Sequence, residues 1–106
     1  MNFTMNGMNW TVRTVNSHSP LLMRSNNTMT VGMCDRSTHE ICISDKLQGA
    51  FLRKVLIHEV CHSAMLSYDI TMSVEQEELF CDLVATYGDE IFAVVDDLFM
   101  ALKRIA

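Results

Sequence analysis

The apolar residues of this 106-residue chain change their spacing near residue 45, and this change restricts the fold more than any other feature. Residues 10–15 (WTVRTV) alternate apolar and polar side chains, which is typical of a half-buried strand. Residues 28–34 and 40–44 are two further strand-like segments, and the short polar stretch between them predicts an antiparallel hairpin. After residue 45 the apolar residues recur every three or four positions, as they do in amphipathic helices.

The second half of the sequence contains signals for three helices. The first covers the apolar positions that follow residue 46. The second is predicted to start at Ser73, because Gln76 completes a capping box, and to stop before Gly88. A third, capped by Asp89, completes the chain. We therefore predict one α+β domain over residues 1–106, with a small antiparallel sheet at about 9–44 and three helices at about 46–104.

Composition and charge exclude several classes of protein. Hydrophobic residues make up 49% of the chain and charged residues 20%, which is typical of a globular domain and not of a disordered chain. The net charge of −5 predicts no nucleic-acid partner, and the lack of a long apolar run predicts no membrane partner. The N-terminus does not resemble a signal peptide, and the four cysteines show no CxxC spacing. We therefore expect a cytoplasmic protein with reduced thiols.

The strongest chemical signal is the sequence HEVCH at residues 58–62, on the first predicted helix. Residues four apart lie one above the other on a helix, so His58 and His62 can direct ring nitrogens at one zinc ion. Glu59 lies one position further round, where it can reach a water on the metal without binding the metal itself. This is the HExxH arrangement, in which the glutamate acts as the general base. The alternative is that both histidines are ordinary core residues.

A zinc site with an open position for water needs a third protein ligand, which we expect on the next helix. That helix offers Glu78 and Asp82, four residues apart and on one face. We predict that Glu78 binds the metal and that Asp82 accepts a hydrogen bond from a ligand imidazole, in the second shell of the site. Glu75 and Glu77 fit a solvated helix N-terminus, where the helix dipole favours acids. Glu77 is the alternative third ligand.

HEVCH followed by EELFCD resembles the gluzincin branch of zinc metallopeptidases, whose second motif is ExxxD. Residues 28–98, including the S-D-x-L turn at residues 44–47, are similar to small phage- and prophage-type proteins of the ImmA/IrrE metallopeptidase family. The interval from His62 to Glu78 is shorter than in larger members of that family. The resemblance implies a minimal zincin-like fold, a Zn²⁺ cofactor and a regulatory protein as the substrate.

Four other side chains are weaker candidates for the site. A gluzincin mechanism usually needs a donor opposite the attacking water, and His39 and Tyr68 are the candidate oxyanion donors. Ordinary loop positions are the alternative for both. Cys61 is the last variable residue of the motif and turns away from the line that joins the two histidines. Core packing is therefore the better interpretation for Cys61, and also for Cys81.

Two functions follow from these residues. The first is a zinc-dependent metalloendopeptidase, in which a protein or peptide substrate adds a strand to residues 28–34 at the edge of the sheet. Residues 40–44 are the alternative edge strand. Glu59 would activate the zinc-bound water and pass the proton to the leaving amine. The second is a non-catalytic protein-interaction module with a structural metal site. The presence of Glu59 favours the enzyme, because a structural His/His/Glu site has no use for that carboxylate.

Overall fold

The computed structural model describes residues 1–105 and shows an α+β domain with a four-stranded sheet and two helices. A single 3₁₀ turn, Pro20–Leu22, lies in the connection between the second and third strands. The regular elements, in chain order, are β1 (Asn2–Met5), β2 (Met8–Val15), β3 (Gly32–Asp35), β4 (Glu40–Ser44), α1 (Gly49–Ser67) and α2 (Val74–Ile105).

The sheet is mixed, so the prediction of a purely antiparallel sheet is wrong. Its strand order is β1-β2-β4-β3. β1 pairs antiparallel with β2, whereas β2 pairs parallel with β4, from Thr11 opposite Glu40 to Val15 opposite Ser44. The long connection between β2 and β3 allows this parallel pairing, because a parallel pair needs a crossover of a dozen or more residues. No strand was predicted at β1.

The hairpin of β3 and β4 is confirmed, with Gly32 opposite Ile43 and Asp35 opposite Glu40. β3 is shorter than predicted and begins at Gly32. The residues just before Gly32 contact the 3₁₀ turn instead of extending the strand. The Thr30 amide donates to the carbonyl of Leu22, the last residue of that turn, at 2.8 Å. β3 lies at the edge of the sheet, and β4 is paired on both sides.

The second and third predicted helices form one continuous helix, α2, so the prediction of three helices is wrong. The capping box at its start is present, because Ser73 Oγ accepts from the Gln76 amide and Gln76 Oε1 accepts from the Ser73 amide, each at 3.1 Å. Gly88 does not end the helix; it is a buried residue within α2.

The hydrophobic core lies between the sheet and α1. Its fully buried members are Trp10 on β2 and Ile41 and Ile43 on β4, and they pack against Val55 of α1. Trp10 Nε1 donates to Ser67 Oγ at 2.9 Å, which ties the end of α1 to the sheet. α2 packs on α1 and forms the outer layer. Neither helix has the length and apolar content that a membrane crossing needs, as far as residue 105.

Candidate metal centre

The two motif histidines lie on the face of α1 that turns towards α2. His62 is buried and His58 is partly buried. Because they are four residues apart on a regular helix, their rings lie next to each other, and the two Nε2 atoms are 3.1 Å apart. α1 therefore presents two imidazole nitrogens to one point.

α2 returns antiparallel beside α1 and brings its first two turns to the same point. Glu78 Oε1 lies 3.0 Å from His62 Nε2, and Glu78 Oε2 lies 3.3 Å from His58 Nε2. One ring nitrogen from each histidine and one carboxylate oxygen of Glu78 all lie within 4.8 Å of one another. The structure thus brings together the three predicted ligands as a group that could hold a metal ion.

The outer nitrogens of the two rings contact carboxylates on α2. His58 Nδ1 lies 2.9 Å from Asp82 Oδ1, and His62 Nδ1 lies 2.5 Å from Glu77 Oε2. An ionised carboxylate can only accept, so each Nδ1 carries a proton, and the neutral form of each ring would offer its Nε2 lone pair to a metal. In that neutral form, two nitrogen lone pairs and the carboxylate of Glu78 converge on one point. A cation at this point removes their mutual repulsion.

The spacing of these atoms fits a small divalent metal. Tetrahedral zinc with ligand distances of about 2.0–2.1 Å separates its ligand atoms by about 3.3 Å. In the structure the two histidine Nε2 atoms are 3.1 Å apart, Glu78 Oε2 lies 3.3 Å from His58 Nε2, and Glu78 Oε1 lies 3.0 Å from His62 Nε2, so each imidazole contacts a different oxygen of Glu78. Two imidazoles and one carboxylate are also a ligand set that zinc accepts in catalytic sites. The residues present therefore fit Zn²⁺.

Glu77 does not occupy the solvated helix terminus that the sequence predicts. Its side chain is buried, and it forms an ion pair with Arg36 as well as the contact with His62. Burial alone would raise the pKa of Glu77, but the hydrogen bonds from Arg36 and His62 hold the pKa below its ordinary value. Glu77 thus orients His62 as Asp82 orients His58. The sequence analysis predicted this orienting role for Asp82 only. It missed Glu77 because nothing near Glu77 in the sequence indicates an ion pair with Arg36.

Glu59 is buried beside the histidines, at the point where α1 meets β3. A Cβ placed on Gly32 would lie 3.1 Å from Glu59 Oε2, so the absence of a side chain there leaves room for the carboxylate. The pKa of Glu59 is raised to about 7, first by burial and then by Glu78, while His58 opposes the shift. Glu59 lines the same cleft as the three candidate ligands.

This cleft has a volume of about 750 Å³ and runs between the two helices and the edge strand β3. Arg24 and Arg36 supply its cationic side chains, and sequence reasoning singled out neither of them. His39 and Tyr68, the predicted oxyanion donors, do not line it. His39 packs against Trp10 with ring centroids 5.0 Å apart, and Tyr68 is an exposed residue at the end of α1.

The four cysteines are free thiols. The neighbouring Cys81 thiol lowers the pKa of Cys61 to about 7, and Cys61 in turn raises the pKa of Cys81. This pair lies between α1 and α2, in agreement with the packing role predicted for both residues. Cys34 lines the cleft, where burial raises its pKa to about 12.

Comparisons with protein-family models, with curated proteins and with solved structures give no match for this chain. The assignment of the site therefore depends on its own residues and geometry. Those define an α+β domain with a His58/His62/Glu78 group that could hold a metal ion, and with a buried carboxylate in the same cleft.

Proposed function

We propose that this protein is a zinc-dependent metalloendopeptidase that uses Glu59 as its general base. The observation that carries the proposal is the convergence of His58 Nε2, His62 Nε2 and a Glu78 oxygen within 4.8 Å of one another, in a cleft that also contains Glu59. The resemblance of HEVCH and EELFCD to gluzincin motifs supports the same function.

In this proposal His58, His62 and Glu78 hold the metal, and Asp82 and Glu77 fix the orientation of the two rings. A zinc ion bound there would polarise a substrate carbonyl and make a water molecule more acidic. The chain supplies an ordered ligand set for this, because each ring nitrogen that faces away from the metal position already contacts a carboxylate. Arg36 balances the charge of Glu77.

Glu59 would take a proton from the attacking water and return it to the leaving amine. Its position suits that role, since the side chain is buried in the wall of the cleft and is not among the ligand group. Arg24 and Arg36 are the cationic residues that line the cleft, so they are the candidates to stabilise the negative charge that develops on the carbonyl oxygen. Arg24 and Arg36 therefore replace His39 and Tyr68 as the candidate oxyanion donors.

The substrate is proposed to be an extended peptide that pairs with the free edge of β3. β3 has only one neighbour in the sheet, and its residues Gly32, Met33 and Cys34 line the cleft. Main-chain hydrogen bonds along this edge would align the peptide and add little sequence preference. Because Gly32 lies against Glu59, a peptide paired here would pass close to the proposed base.

The second candidate is a protein-interaction module with a structural metal site. The observation that favours it is the exposed apolar surface on the C-terminal half of α2, which is typical of a docking surface. In that case Glu59 would have no chemical role, and its replacement would change nothing but local packing.

Glu59→Gln distinguishes the two functions, with Glu75→Gln as a control on the exposed first turn of α2. Zinc-loaded proteins are incubated with a mixed peptide library, and the products are identified by mass spectrometry. Under the peptidase proposal, Glu59→Gln retains one zinc per chain but loses about 10²–10⁴-fold in turnover, and the control cleaves normally. Equal cleavage by Glu59→Gln and the unaltered protein would contradict the mechanism. No cleavage by the zinc-loaded, unaltered protein would favour the interaction module.

A further inference from the structure

The four cysteines are not equivalent, and two of them cannot form a bridge with each other. Cys34 lies opposite Ile41 across the hairpin of β3 and β4, and Cys42 is the next residue of β4. Residues that lie opposite each other share one face of a sheet, whereas successive residues of a strand point to opposite faces. Cys34 and Cys42 are therefore on different faces, and the sheet separates their thiols.

Cys61 and Cys81 lie on α1 and α2, which pack against each other. Two side-chain contacts join the helices on either side of these cysteines: His58 with Asp82, and His62 with Glu78. Cys61 lies between the two histidines in the sequence, and Cys81 lies between the two acids. The two cysteines are therefore at the same level of the antiparallel helices, and their thiols are neighbours.

The two thiols differ in how easily a reagent can reach them. Cys61 is partly buried and lines an open groove of about 540 Å³, together with Ile57 and Ala64 of α1 and Met5 of β1. Cys81 is 0% exposed. Among residues 1–105, no side chain lines both this groove and the cleft that contains the candidate metal ligands. A small molecule can therefore reach Cys61 without entering the cleft.

We propose that Cys61 and Cys81 form a reversible dithiol–disulfide pair whose oxidant is a low-molecular-weight disulfide. The Cys61 thiolate attacks one sulfur of that disulfide, so its S–S bond breaks, a mixed disulfide forms on Cys61 and one thiolate leaves. The Cys81 thiolate then attacks the Cys61 sulfur, which forms the bridge and releases the second thiolate. The protons of the two cysteines go to the two leaving thiolates. Two protein thiols are thus oxidised, and one small disulfide is reduced to two thiols.

The order of attack follows from exposure. Cys61 is the thiol that a reagent in the groove can contact, so it reacts first. Cys81 is buried beside it and is positioned to resolve the mixed disulfide, as the second cysteine does in redox-active pairs.

The bridge would close a loop that contains two of the candidate metal ligands, His62 and Glu78. It would restrict the unfolded chain, and because the thiols are already neighbours it would require little movement of the helices. The bridged form is therefore expected to melt about 5–15 °C higher than the reduced form. The pair does not depend on the proposed peptidase function, since the exchange needs neither a metal ion nor Glu59.

The test is incubation of the full chain with oxidised glutathione, followed by alkylation of the remaining thiols, proteolysis and mass spectrometry. The protein should lose the mass of two hydrogen atoms and give one pair of linked peptides, which contain Cys61 and Cys81. Dithiothreitol should reverse the change. Cys42→Ala is the matched control, because Cys42 is also buried and should not take part in the bridge. Absence of a Cys61–Cys81 bridge under these conditions, or a bridge that involves Cys34 or Cys42 instead, would overturn the proposal.

Single variants test the order of attack, with far-UV circular dichroism as the check of their fold. Cys81→Ala should stop at the glutathione adduct of Cys61, and Cys61→Ala should leave Cys81 unmodified. Iodoacetamide labelling of the unaltered protein tests the same order without any substitution, and Cys61 should be alkylated at least about tenfold faster than Cys81. Faster labelling of Cys81 would overturn the order. A bridged form that melts below the reduced form would show that the helices must move to form the bond, and would overturn the pairing of neighbouring thiols.

Discussion

Replacing Gly32 by alanine tests the close approach between β3 and α1 that places the edge strand beside Glu59. A Cβ at this position would lie 2.7 Å from Val55 Cγ1, about 1 Å inside the usual carbon–carbon contact distance. Val55 cannot easily rotate away, because a β-branched residue in a helix has one strongly preferred rotamer. It is also part of the core between α1 and the sheet. The strand and the helix would therefore have to separate.

Such overpacking typically costs about 1–3 kcal/mol of the free energy of unfolding. For a domain of this size, that corresponds to a melting temperature roughly 5–20 °C lower. The backbone of Gly32 does not lie in the left-handed region, so the expected loss comes from the contact and not from backbone strain. Glu59 would also be displaced, since its Oε2 atom lies 3.1 Å from the new Cβ.

Gly88→Ala is the matched control. A Cβ there would lie 3.5 Å from Val84 Cγ1, which is an ordinary contact, and alanine is favoured over glycine inside a helix by about 1 kcal/mol. Urea denaturation of both variants should therefore give opposite signs, with Gly32→Ala destabilised and Gly88→Ala stabilised. If Gly32→Ala were as stable as the unaltered protein, the close approach of β3 to α1 would be wrong.

Two further variants test how the histidines are oriented, and zinc affinity measured by competition with a chromophoric chelator checks both. Glu77→Gln should weaken zinc binding by about 100-fold, because the Glu77 side chain is only 9% exposed and its replacement leaves Arg36 without its ion-pair partner. Asp82→Asn should weaken it by about tenfold, since the Asp82 side chain is 66% exposed and water can replace part of its contact. A larger effect at Asp82 than at Glu77 would contradict this order.

The features that the sequence predicts best are the local ones. His58 and His62 share a helix face because four residues make about one turn, and the same rule places Glu78 and Asp82 together. Only one antiparallel turn is then needed to bring the two pairs into contact, and the structure contains that turn. The prediction that His58, His62 and Glu78 lie close together therefore needed only the helix repeat and one antiparallel turn.

The features that the sequence does not predict depend on distant contacts. Arg36 and Glu77 are 41 residues apart, and nothing in either segment indicates that they form an ion pair. α2 packs on α1 and continues through Gly88, in spite of the local signal for a helix end. The parallel pairing of β2 with β4 likewise depends on the path of a long connection.

One omission had a local signal. Asn6 and Gly7 both have positive φ values, 50° and 77°, in the two-residue turn between β1 and β2. An Asn-Gly pair between strand-like segments is a strong indicator of a tight hairpin. The strand at residues 2–5 could therefore have been predicted from the sequence.

The central claim is that His58, His62 and Glu78 bind one zinc ion, and X-ray absorption at the zinc edge tests it most directly. The protein is loaded with one equivalent of zinc, and the spectrum reports the type and distance of the ligand atoms. The structure predicts nitrogen and oxygen ligands at about 2.0–2.1 Å, with the scattering of two imidazoles and no sulfur. Cys34 lines the same cleft, so a zinc ion bound by its thiolate is the alternative that the spectrum can detect. A sulfur ligand at about 2.3 Å, or zinc that is not retained, would contradict the claim.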